Sequence, residues 1–137
     1  MAYRILLFAM ALSAVVMPVQ VIPHVNSPSV VLTEQTNGRK MSVRKGTRIE
    51  VRLPAQLGTG YMWRVIKTPS VLDPVGEPTV ETPKPDAGKT VGGKEIQNFR
   101  FVAARTGTGV LELAYARGWE KDARPRRSFF VTLSVTE

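Results

Sequence analysis

Few residues of this chain have the type and spacing that covalent chemistry requires. A serine, cysteine or zinc catalyst needs a base or ligand that titrates near neutrality; the sequence offers one histidine, His24, and no cysteine to partner it. Glu120 and Asp122 form the only carboxylate pair that suggests a hydrolase. Arg117, Lys121, Arg124, Arg126 and Arg127 surround that pair and would hold both groups ionised, leaving no general acid. Gly88-Lys89-Thr90 imitates the tail of a phosphate-binding loop, yet Pro83 stands where the leading glycine belongs, so the segment reads as a polar turn. The sequence therefore predicts no enzyme, and no metal or cofactor.

What remains is the chemistry of recognition. Gly58-Thr59-Gly60-Tyr61-Met62-Trp63 joins a loop nearly free of side chains to a strand that begins with large aromatics. Small residues let another backbone approach closely, while Trp63 reads as core. Two further connections, 83–94 and 117–127, stand out beside it as loops of unusual content. Aromatics among cations also suit nucleic acid, but Trp63 and Trp119 lie on different segments. The net charge of +8 is dispersed through Arg39, Lys40, Arg44, Lys45, Arg48 and Arg52, as on a solvated sheet face, so no nucleic-acid partner is expected.

The elements that must position these loops are strands. Residues 47–53 alternate, with Ile49, Val51 and Leu53 on one face and Arg48, Glu50 and Arg52 on the other; Pro54 is expected to end that strand. Residues 61–67, 95–103, 109–116 and 129–135 repeat the pattern, and 77–82 is a weaker strand between prolines. Asn37-Gly38, between 30–36 and 40–43, predicts a type I′ hairpin. Seven to eight such strands predict an all-β, immunoglobulin-like antiparallel β-sandwich, with a small barrel as the alternative. In an up-and-down path the loops at 54–60, 83–94 and 117–127 return to the same end.

The start of the chain reads as an export signal over 1–22: Arg4 precedes an uncharged run, 5–16, shorter than the roughly 20 residues that span a bilayer. Residues 23–28 read as a linker and 29–137 as the domain, which is expected to be periplasmic or secreted, monomeric and not inserted in the membrane once the signal is removed. With no cysteine, it must be held by packing alone.

In order and placement, these loops resemble the chagasin-type inhibitors of papain-like cysteine peptidases, a resemblance covering roughly 30–135. Thr59, Gly60 and Tyr61 match the end of the family's Asn-Pro-Thr-Thr-Gly-Tyr loop, with Gln56, Leu57 and Gly58 replacing its first three residues. Gly92-Gly93 before Phe99-Arg100-Phe101 is similar to a Gly-x-Gly-Gly loop, although Lys94 and Glu95 stand where its closing glycines would be. Tyr115-Ala116-Arg117-Gly118-Trp119 resembles an Arg-Pro-Trp loop, with Gly118 in the proline's place. The resemblance implies an exported immunoglobulin-like domain that occludes a papain-like peptidase through Gly58, Thr59, Gly60, Tyr61, Gly92, Gly93, Arg117 and Trp119 without forming a covalent bond. The competing expectation is an exported adhesion or assembly module whose basic face binds acidic polymers or an envelope partner.

Overall fold

The computed structural model describes residues 15–19, 26–83 and 94–137; His24, Gly92, Gly93 and most of the expected signal lie outside them. Nine strands follow one another: β1 (Ser29–Leu32), β2 (Lys40–Arg44), β3 (Arg48–Ala55), β4 (Tyr61–Lys67), β5 (Leu72–Pro74), β6 (Thr79–Glu81), β7 (Glu95–Ala103), β8 (Gly107–Arg117) and β9 (Arg127–Thr136). Alternation dictates them. Ile49, Val51 and Leu53 are buried on β3, Phe99 and Phe101 on β7, Leu111 and Leu113 on β8, and Phe129, Val131 and Leu133 on β9. Each of these strands therefore has one dry face, and two such faces must meet.

The result is a sandwich of two sheets, one ordered β1-β3-β7-β5 with β6 also pairing β7, the other ordered β2-β9-β8-β4. Both sheets are mixed: β1 runs parallel to β3 and β2 parallel to β9, where an antiparallel pattern was expected. The expected hairpin at Asn37-Gly38 is absent, because β1 and β2 belong to different sheets. Asn37 has φ −56° and ψ 132°, Gly38 has φ 76°, and the Arg39 N–H donates to the Thr36 carbonyl at 3.1 Å. Those values describe a type II turn, which needs positive φ only at its second centre. The Asn37 side chain docks instead on β9, donating to the Ser128 carbonyl at 3.1 Å and accepting from the Phe130 N–H at 2.9 Å.

Two smaller expectations also change. β3 continues through Pro54 to Ala55, paired with Ile96 and Glu95. β1 reaches only as far as Val51, so beyond that point β3 has an open edge on which proline is tolerated. β5, too short to show periodicity, pairs with the far half of β7.

At the end where β3 stops and β4 starts, polar groups tie the sheets together. The indole Nε1 of Trp63 (β4) donates to the Pro54 carbonyl (β3) at 3.0 Å. The backbone N–H of Trp63 donates to Oε1 of Gln97 (β7) at 2.7 Å. Trp63 lies on an edge strand, and the Gln97 amide stands in for the missing neighbouring strand; both residues are buried. Gln97→Leu leaves that buried N–H without a partner and is expected to cost about 1–3 kcal/mol. Urea unfolding checks this, with a lower midpoint at unchanged slope as the expected outcome.

Candidate functional site

The residues that end β3 do not form a slack loop. From Gln56 the chain enters a single 3₁₀ turn, Leu57–Thr59, and leaves it through Gly60 in the left-handed region at φ 81°, ψ −4°. Its backbone is held from several sides. The Gln56 N–H donates to the Tyr115 hydroxyl at 2.9 Å and the Leu57 N–H to Oε2 of Glu95 at 2.9 Å. Within the turn, the Thr59 N–H reaches the Gln56 carbonyl at 3.0 Å and the Gly60 N–H the Leu57 carbonyl at 2.9 Å. The outward carbonyl of Thr59 accepts from Nε of Arg117 at 3.2 Å.

Arg117 closes β8, directly across from Tyr61 at the start of β4. Its guanidinium lies 4.5 Å from the centroid of the Tyr61 ring and 5.7 Å from that of Trp119, within range of cation–π attraction to both. Glu120 adds an ion pair at 3.5 Å. Trp119 packs its six-membered ring over Gly60: a Cβ built on that glycine would run into the ring. Even so, Trp119 remains 67% exposed. Gly58 is the opposite case, with open space where its Cβ would be.

Behind this edge stands an aromatic column. Tyr61 stacks on Tyr115 at 5.4 Å between centroids, and Tyr115 leans against Trp63 at 5.1 Å. It sets the height at which the two loops leave the sandwich. The structure thus brings Gly58, Thr59, Gly60, Tyr61, Arg117 and Trp119 to one edge. The 83–94 loop re-enters the sheet at the same edge through Glu95, paired with Ala55.

Residues 42–133, more than half of the chain, match the family model described as chagasin family peptidase inhibitor I42. The chain belongs to the chagasin family of peptidase inhibitors. Among curated relatives, Amoebiasin-2 of Entamoeba histolytica is 29% identical over 105 residues that cover 77% of this chain and 82% of the relative. Chagasin of Trypanosoma cruzi is 26% identical over 105 residues, covering 76% and 96%. Among solved structures, the crystal structure of a cysteine protease inhibitor from Entamoeba histolytica superposes with a TM-score of 0.72 at 22% identity, covering 81% of this chain and 98% of that one, which shows the shared fold.

For this chagasin-family chain, the sequence located the first and third loops but missed what holds them. Glu95, read as a departure from a glycine pattern, is the residue that accepts the Leu57 N–H. Arg126, noted only among the cations around Glu120 and Asp122, lies 5.3 Å from the Tyr61 centroid. Gly118 does not adopt positive φ, and the atoms nearest a Cβ there belong to the guanidinium of Arg64, the far end of a flexible side chain.

The two loop glycines are expected to behave differently. Gly60→Ala places a side chain in the left-handed region, at about 1–2 kcal/mol, and displaces Trp119; calorimetry should show a lowered Tm. Gly58→Ala should leave Tm unchanged, so any loss of binding it causes reports a partner's close approach.

Proposed function

We propose that this protein is a reversible inhibitor of papain-family cysteine peptidases that seats the Gly58–Tyr61 turn in the active-site cleft, with Arg117 and Trp119 on one flank and the loop carrying Gly92 and Gly93 on the other. The observation that carries this reading is the hydrogen-bonded organisation of the edge. A turn whose N–H groups at Gln56, Leu57, Thr59 and Gly60 and whose Thr59 carbonyl are already bonded, beside an exposed tryptophan, loses little conformational entropy when it docks. It presents open backbone at Gly58, where a narrow cleft excludes side chains. The family membership agrees with it, as does the cysteine protease inhibitor from Entamoeba histolytica that shares the fold.

An interface of about 800 Å² per partner suffices for such a complex. We further propose that the domain acts as a monomer outside the cytoplasm, exported by the Arg4-led apolar start of the chain.

Titration against papain tests the reading. Stoichiometric, reversible inhibition in the nanomolar range is expected; no inhibition at micromolar concentration by folded protein would overturn it. Trp119→Ala should weaken inhibition roughly thirty-fold or more, the scale of an aromatic hot spot. Gly118→Pro, once Arg64 moves aside, should tighten it about two- to five-fold by restricting the free loop.

A further inference from the structure

We infer that the mouth of the sandwich beneath the loop edge is a carboxylate-binding pocket that selects peptidases with acidic side chains at the rim of the cleft. This rests on the inhibitor reading above. Between the end of β3 and the end of β8 lies a concavity of about 280 Å³, floored by Tyr61 and Tyr115 and walled by Lys94, Arg117, Arg126 and Arg127. It shares Thr59, Tyr61 and Arg117 with the edge itself, so a docked partner covers both at once.

The charges in this pocket are not balanced locally. Arg127 is ion-paired with Glu34 and Arg117 with Glu120. Lys94 and Arg126 have no ion-pair partner among the described residues, and the nearby Glu95 carboxylate receives the Leu57 N–H. Arg126 lies 5.3 Å from the centroid of Tyr61. Stacking of this kind orients a guanidinium and leaves its fork of donors available for a carboxylate. Stacked arginine with a neighbouring lysine over an aromatic floor lines one compact concavity, and the other cations among the described residues are spread over strands and turns. A polyanion needs a continuous track of cations, whereas a single protruding Asp or Glu needs only this pocket.

Charge at a rim acts mainly on encounter and on discrimination between partners. The test is therefore association kinetics, by stopped flow, with two papain-family peptidases, one carrying Asp and Glu and one carrying Lys and Arg at the cleft rim. The wild-type protein should associate about ten-fold or more faster with the acidic-rim enzyme at low salt, with the gap narrowing as salt rises. Lys94→Gln/Arg126→Gln should close most of that gap. Arg44→Gln/Lys45→Gln, which removes the same charge at the opposite end of the sandwich, should leave it open. A gap untouched by the mouth variant, or closed equally by the far-end variant, overturns the pocket while inhibition itself stands. Heparin binding abolished by the mouth variant with discrimination unchanged reassigns the pocket to polyanions and overturns it too. Inhibition of neither enzyme by wild type overturns the inhibitor reading together with the pocket.

Discussion

Two sheets with no disulfide between them must be prevented from sliding at the end where the candidate loops emerge, and in this molecule aromatic and amide groups do that. Trp63 donates its indole N–H to Pro54 and its backbone N–H to Gln97, and Tyr115 accepts from Gln56. Each of these bonds runs from one sheet to the other or to the turn that joins them. The Trp63–Gln97 bond is buried, so losing it exposes the full desolvation cost of its partner, and the other two are part-buried. The hydrophobic layer between the sheets supplies most of the cohesion but is non-directional; these bonds fix the relative height of β3 and β4.

The loop edge inherits its shape from that constraint. Once the ends of β3 and β4 are fixed, the turn between them must reverse the chain in a few residues, and Gly60 supplies the left-handed conformation that makes this possible. Arg117 then ties the turn to the loop after β8, through the Thr59 carbonyl and the faces of Tyr61 and Trp119. A free inhibitor organised in this way has its binding surface assembled before it meets a partner. The aromatic column of Tyr61, Tyr115 and Trp63 belongs to both functions, core on one side and the floor of the basic mouth on the other.

The sequence showed plainly whatever depends on local period. The buried positions of β3, β7, β8 and β9 follow from alternation alone, and the Thr59-Gly60-Tyr61 and Arg117-Trp119 segments were visible through their resemblance to the family's loops. Long-range pairing was not legible. Asn37-Gly38 looks like a hairpin because the dipeptide suits one, but nothing local records that β1 and β2 part to different sheets and that the Asn37 amide is used on β9. Glu95 was misread for the same reason: its partner, the Leu57 N–H, is 38 positions away in sequence. Pro54 within β3 makes sense only once β1 is seen to stop short.

The central claim is that partner contact is confined to the edge where Gly58–Tyr61, Glu95 and Arg117–Trp119 meet. The most direct test is an amide chemical-shift map of the protein titrated with papain whose catalytic cysteine has been replaced by serine. Perturbations should concentrate at Leu57, Gly58, Thr59, Gly60 and Tyr61 and at Arg117, Gly118 and Trp119, with Gly46 and Arg105 at the opposite end unmoved. Shifts gathered at that opposite end, or on the outer face around Glu50 and Arg100, with the loop edge silent, would contradict the account.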